Sequence, residues 1–271
     1  MPTYVGKRCT TAQAEGADAD LGRKTASPPP SGVAKADLGR KTRVMRPERR
    51  AAVRGVRQVL LRRLGAMAST AELLTLHAVR LKGVADDCEV AARFGLEPET
   101  TTELLLDFEA YGWITRVEFG ETKGWALTER GKQQGERLLA AELDQVGARP
   151  EVTGVHEEFL PWNACLQKAC TDWQLRPTGT DPLAVNQHDD PDWDERALAA
   201  LVRLDEALRP LTARLTERLA RLEGYDTRFS AALARVRAGD PSWVTKVGAD
   251  SCHTVWMELH EDLLATLGLE R

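Results

Sequence analysis

The 271-residue chain has no glycine-rich phosphate loop, no G-x-S-x-G elbow, no paired-carboxylate motif and no H-E-x-x-H spacing. The usual sequence signatures of phosphate-handling and hydrolytic enzymes are therefore missing, and neither catalytic residues nor a cofactor are expected. Cysteine is sparse: Cys9, Cys88, Cys165, Cys170 and Cys252 are the whole complement. They form no C-x-x-C pair and no zinc-finger spacing, so free thiols in a reducing compartment, without a metal, are the reading. No apolar run is long enough to span a bilayer, and the N-terminus lacks the compact apolar core of a signal peptide. A soluble cytoplasmic protein with no membrane partner is expected.

Acidic residues are scarce at the start of the chain and in excess after it. Residues 1 to 66 hold 15 Lys and Arg against 5 Asp and Glu, net +10, whereas the remainder holds 22 against 36, net −14. The overall charge of −4 conceals this split. Residues 67 to 147 have 8 basic and 15 acidic residues, and residues 148 to 271 have 14 and 21, so each part carries −7. An acidic body binds duplex DNA poorly unless cations gather locally, because non-specific affinity comes from cations displacing counterions.

Residues 1 to 44 are Gly, Ala, Pro, Ser and Thr with scattered charge and almost nothing to bury, which reads as disorder. Within them Ala19-Asp-Leu-Gly-Arg-Lys-Thr25 recurs unchanged at Ala36 to Thr42. A second reading makes residues 1 to 44, or 1 to 66, an untranslated leader with the true start at Met45 or Met67. The repeat would then be a direct repeat in DNA, spaced as operator half-sites are. Residues 45 to 66 set Val53, Val56, Leu60 and Leu64 on one helical face and Arg50, Arg54 and Arg57 on another, a basic amphipathic helix or an Arg-rich extension.

From Ser69 to Leu143 the pattern is richer. Ser69 with Glu72 reads as a capping box opening a first helix, with Leu73, Leu76 and Leu81 inward and Gly83 as its end. Asp86 with Glu89 opens a second, containing Val90, Ala91 and Phe94 and stopped by Gly95. Pro98 starts a third after a sharp turn, with Thr101, Leu104, Leu105, Phe108 and Tyr111 inward and Glu99, Thr102, Glu103, Leu106 and Ala110 outward. A two-strand ribbon follows, and Trp125-Ala-Leu-Thr-Glu-Arg-Gly131 runs a strand into a Thr-capped closing helix.

This order of helix, helix-turn-helix and hairpin resembles a winged helix-turn-helix domain of the MarR or PadR transcription-regulator type, whose wing is followed by a similar L-T-x-x-G segment. The resemblance covers about 75 residues and implies binding to double-stranded DNA. The DNA-facing set it implies is Arg93 at the end of the second helix, Thr100, Thr102 and Glu103 on the third, Arg116 and Lys123 on the wing, and Arg130 and Lys132 opening the closing helix. Against that expectation, the outward face of the third helix has no Lys or Arg, and glutamate repels phosphates. Trp113 and Trp125 read as packing between wing and helix.

Beyond the hinge Gly147-Ala-Arg-Pro150 the pattern is wholly helical. Val155 to Trp173 has a broad apolar face, Arg176 to Pro191 is a polar loop, and Leu198, Leu201, Leu204, Leu208, Leu211, Leu215, Leu219 and Leu222 form a leucine series interrupted at Pro210. Tyr225 to Ala238 and Cys252 to Leu267 complete a bundle. The leucine series and the 155 to 173 helix together suggest an isologous homodimer. His253 and His260 are seven apart, about 10 Å of helix rise, too far to share a metal. Aromatic and histidine side chains here nominate Trp173, His188, His253, Trp256 and His260 as contacts for a small-molecule effector.

The expectation is a mainly α protein. Residues 1 to 44 are a disordered or misread leader, 45 to 66 a basic helix or extension, 67 to 147 a winged helix-turn-helix domain, and 148 to 271 a C-terminal α-helical dimerisation or effector bundle. It would act as a DNA-binding transcriptional regulator. The alternative left open is a winged-helix interaction module that docks a protein and not DNA.

Overall fold

The computed structural model describes residues 69–120 and 122–270. The expectations for residues 1 to 66, including the repeat and the basic helix, lie outside the described residues.

Helix α1 (Ala71–Lys82) is capped by Thr70, whose hydroxyl accepts from the Leu73 amide at 3.2 Å. The cap thus falls one residue past the expected Ser69, whose hydroxyl donates instead to Glu142 across the molecule. After the two-residue strand β1 (Val84–Ala85), α2 (Asp87–Phe94) opens on the expected capping box. The Asp86 side chain accepts from the Glu89 amide and the Glu89 side chain from the Asp86 amide, each at 2.9 Å. Gly95, left-handed at φ 64°, closes it, and α3 (Pro98–Ala110) starts on its proline. Strands β2 (Ile114–Phe119) and β3 (Thr122–Leu127) form a hairpin, and β1 adds to the other edge of β3. The sheet is antiparallel, in the order β1-β3-β2, with Arg116 opposite Trp125 and Ala85 opposite Trp125 on the other side.

Helix α4 (Glu129–Gln145) begins at Thr128, and its glycine has a steric cause. The Thr128 hydroxyl accepts from the Gly131 amide at 3.1 Å and lies 2.7 Å from the Gly112 carbonyl, to which it donates. This pins the first turn so tightly onto the α3–β2 corner that a Cβ at Gly131 would sit 1.9 Å from the Trp113 carbonyl oxygen.

The remaining elements are α5 (Arg149–Gln174), α6 (Pro191–Thr216), a 3₁₀ turn at Ala220–Leu222, α7 (Tyr225–Arg237), a second 3₁₀ turn at Pro241–Val244 and α8 (Cys252–Leu267). The protein is thus mainly helical with one small three-stranded antiparallel sheet. Of the two readings of Pro210, the start of a second helix or a kink in one long one, the structure excludes the first: α6 runs through it, as α5 runs through Pro161. An internal proline costs about 3 kcal/mol, yet Leu204 and Leu208 before it and Leu211 and Leu215 after it all reach one core, whose burial offsets that cost.

That core, formed by α5 to α8, buries Leu201 through Leu222 of the leucine series. The series expected to build a two-fold surface is therefore consumed inside the chain, which corrects that argument for a homodimer. A second core lies under the sheet, with Leu76, Val79, Val90, Leu105, Phe108, Ile114 and Trp125. Between them Leu73 of α1, Leu139 of α4 and Ala265 of α8 form a third, small apolar seam. No helix among the described residues is long and apolar enough to cross a membrane. Cys165, Cys170 and Cys252 are free thiols.

Candidate interaction surface

Helix α3 is held by its inward residues. Thr101, Leu105 and Phe108 are buried, and Leu104 packs beside them. Asp87 fastens three elements at once: one oxygen accepts from Thr102 Oγ1 at 2.8 Å and the other from Trp125 Nε1 at 2.7 Å. Thr102 is thus a structural tie between α2 and α3, not an outward contact, while Thr100 and Glu103 remain exposed. Tyr111, expected inward, is 53% exposed. It is the C-cap, and Gly112 at φ 70° turns the chain away, so helical spacing no longer governs its direction. The solvent face of α3 accordingly presents Glu99, Glu103 and Asp107 around Leu106, which is 48% exposed. It has no basic residue.

The cations assigned to DNA are mostly engaged elsewhere. Arg93 is the clearest correction, since only 5% of its side chain is exposed. It lies over the Phe94 and Tyr225 rings, at 4.4 and 4.9 Å, and its Nε donates to Glu258 of α8. Arg116 donates to Glu109 at 3.1 Å and lies 4.2 Å over the Trp125 ring. Lys123 pairs with Glu118 on the facing strand. Arg130 is exposed and Lys132 half-buried in the first turns of α4.

Behind this surface lies a buried polar network absent from the sequence expectations. Glu258 accepts both terminal nitrogens of Arg228 at 2.9 Å as well as Arg93, and Arg228 is held in turn by Asp250 at 2.8 Å. Asp262, fully buried, accepts from Tyr225 Oη at 2.8 Å, from Arg221 and from His77 Nε2 at 2.9 Å. Arg221 also donates to Thr266 at 2.7 Å and to Glu142 at 2.8 Å. Burial alone would push the Asp262 carboxyl up, but His77, Arg221 and Arg93 around it hold it well below the usual carboxylate range. Burial likewise lowers His77 below its ordinary value in spite of Asp262. These groups come from α1, α2, α4, the 3₁₀ turn, α7 and α8, so they stitch the sheet-bearing half to the bundle. Glu258, Asp262 and Thr266 do follow one another at i,i+4 along α8, but their partners His77, Arg93, Glu142 and Arg221 lie on other elements, and nothing in the spacing along α8 points to them.

The residues nominated for an effector do not meet in one place. Trp256 is wholly buried, stacked 4.8 Å from Phe159 and donating to Asn163 at 3.2 Å. Trp173 packs 4.6 Å from His188, which is tied to Asp194 at 2.9 Å. His253 is half-buried at the start of α8. His260 borders a groove, and its neighbour there is His156, which sequence reasoning passed over. Among the described residues no group of three or more His, Cys, Asp and Glu could hold a metal ion.

With this geometry in hand, comparison supplies no relative. No family model matches the chain, and no curated protein or solved structure matches it either.

Proposed function

We propose that residues 71 to 145 form a winged helix-turn-helix unit whose third helix docks a protein partner. The partner surface it fits is basic and amphipathic, a helix with Arg or Lys around an apolar anchor. One observation carries this reading: the exposed face of α3 sets Glu99, Glu103 and Asp107 around Leu106 and has no cation. Apolar anchors ringed by complementary charge suit helix-on-helix recognition, with the anchor supplying affinity and the charges supplying register. The same face offers a phosphate backbone three carboxylates.

DNA binding by a transcriptional regulator remains a second reading, favoured by the exposed Arg130 and by the net +10 of residues 1 to 66. A dimer and a metabolite effector belong to that reading.

The test uses the full chain, a designed helical peptide with Arg and Leu at amphipathic spacing, and a duplex DNA of random sequence. Leu106→Ser leaves every charge intact, so a merely electrostatic association is unmoved. Loss of a central leucine anchor corresponds to about ten-fold in affinity for the peptide, with duplex binding unchanged. Unchanged peptide affinity in Leu106→Ser, or loss of duplex binding in Thr100→Ala with Glu103→Ala, would replace this reading by the regulator.

A further inference from the structure

Strand β2 is the outermost strand of the sheet: in the order β1-β3-β2 its strand partner among the described residues is β3 alone. The hydrogen-bond phase of the hairpin is fixed at its base, where the Thr128 amide donates to the Trp113 carbonyl at 2.9 Å. In an antiparallel pair this phase returns every second residue. Thr115, Val117 and Phe119 therefore exchange their backbone bonds with β3, and the N–H and C=O groups of Arg116 and Glu118 point to the outer edge. Such an edge is commonly guarded by a bulge, a proline or a repelling charge. Here the ladder runs without a bulge from Ile114↔Leu127 to Phe119↔Thr122, and β2 contains no proline.

The charges on β2 do not repel a second β2; they complement it. Arg116 and Glu118 share one face of the strand, with 49% and 67% of their side chains exposed. Thr115, Val117 and Phe119 share the other, where Phe119 is 84% exposed. Turning a second copy antiparallel about an axis at Val117 puts Arg116 opposite Glu118 of that copy and Glu118 opposite its Arg116. Both pairs use outward backbone groups, so each exchanges its N–H···O bonds, and opposite charges face each other across the strands. Within one copy Glu118 already pairs with Lys123, and Arg116 lies 4.2 Å over the Trp125 ring. The row across the joined strands then runs Lys123, Glu118, Arg116, Trp125: cation, anion, cation and aromatic face. On the other face Val117 meets Val117 and Phe119 covers Thr115. A slip of two residues sets arginine against arginine or glutamate against glutamate, and a slip of one sets outward groups against groups already bonded to β3.

We propose that the outer edge of β2 is a self-association site: two copies of the chain pair their β2 strands antiparallel about a two-fold axis at Val117 and join their sheets into one. The occupant is a second copy because the register that satisfies the backbone is also the one that pairs Arg116 with Glu118 twice, as a closed isologous contact requires. The contact is small, so the dimer is weak and depends on concentration. It does not depend on what α3 binds.

The full-length protein is followed by sedimentation over a dilution series reaching about 1 mM, the range of weak association. Wild type should pass from monomer to dimer as it is concentrated. Arg116→Glu sets glutamate opposite glutamate and Glu118→Arg sets arginine opposite arginine, so each variant alone should dimerise on the order of ten-fold more weakly. Mixed together, the two variants face each other with opposite charges again, and the mixed dimer should recover most of the lost affinity. Mixing cannot repair a damaged fold, so recovery isolates the pairing. Cross-linking reads the register: under oxidised glutathione Val117→Cys, which faces itself across the axis, should form an intermolecular disulfide faster than wild type, whereas Thr115→Cys, which faces Phe119, should not. The Glu118 amide should exchange its hydrogen freely in the dilute monomer and be protected on concentration. Wild type that stays monomeric throughout, single variants that dimerise as well as wild type, a mixture no tighter than either variant alone, or Thr115→Cys cross-linking as fast as Val117→Cys overturns the pairing. So does a Glu118 amide already protected in the monomer, because another segment of the chain would then hold the edge.

Discussion

His77 Nε2 and Asp262 Oδ1 lie 2.9 Å apart, 185 residues apart in sequence, and both side chains are buried. The Nδ1 of the same ring has no hydrogen-bond partner among the described residues. The hydrogen-bond network therefore assigns the ring proton to Nε2, making His77 a neutral donor to a carboxylate that Arg221 and Tyr225 also serve. One carboxylate on α8 thus gathers α1, α7 and the turn before it.

Removing that carboxylate should strand its donors. Asp262→Ala leaves Arg221 buried with one acceptor fewer and Tyr225 and His77 with none, and breaking a buried pair in this way costs about 3–5 kcal/mol. Urea unfolding of wild type and variant measures it. A change under about 1 kcal/mol, the size of an ordinary substitution, would mean that the seam is held by its apolar contacts alone.

Acid should weaken the protein before its carboxylates titrate. Burial lowers His77, His156 and His253 below the ordinary histidine value. The unfolded chain then binds more protons than the folded one below about pH 6.5, so stability is complete above that pH and falls as pH drops through it. Asp262, held below the carboxylate range, stays ionised in this window and adds nothing to the slope. The melting temperature should decline from pH 7.5 to 5, and His77→Phe should flatten the decline. A flat profile in wild type refutes the assignment of neutral, buried histidines.

Two glycines of α4 make a matched pair. A methyl at Gly131 would meet the Trp113 carbonyl oxygen at 1.9 Å, whereas one at Gly135 meets only Leu76, at 3.8 Å. Gly131→Ala should destabilise on the order of 3 kcal/mol as the helix start is forced off the corner. Gly135→Ala should be neutral or stabilise by up to about 1 kcal/mol, through helix propensity. Thermal unfolding of the two variants checks the contrast, and equal effects would contradict the packing at Thr128.

Arg93 and Arg130 should part company in the same assay. Arg93→Ala removes a buried partner of Glu258, which retains Arg228, so a loss near the lower end for buried pairs, about 3 kcal/mol, is expected. Arg130→Ala at an exposed site should lie within about 0.5 kcal/mol of wild type. A destabilised Arg130→Ala beside an unaffected Arg93→Ala would reverse the placement of the two cations.

The effector residues were only partly legible. His260 was nominated from an aromatic and histidine count, but Trp256 in the same helix faces the core four residues earlier, and His156 had no signal at all. The groove is lined by residues of two helices about 100 positions apart, and which faces of them meet has no trace in either helix's own periodicity.

What the chain determines by itself is local. Asp86 and Glu89, Gly95, Pro98 and Thr128 mark helix ends because a cap is a contact between residues three or four apart, and those contacts form wherever the helix lies. The acidic, cation-free outer face of α3 was legible for the same reason: helical spacing alone puts Glu99, Glu103 and Leu106 outward. Only the tertiary structure decided the fate of Arg93, Thr102 and the leucine series. Whether an arginine meets solvent or a glutamate 165 residues away, and whether a leucine stripe packs on its own chain or on a second copy, depends on which surfaces meet when the helices assemble. Hydrophobic burial is non-directional, so a stripe records that it will be covered and leaves the identity of its cover to the fold.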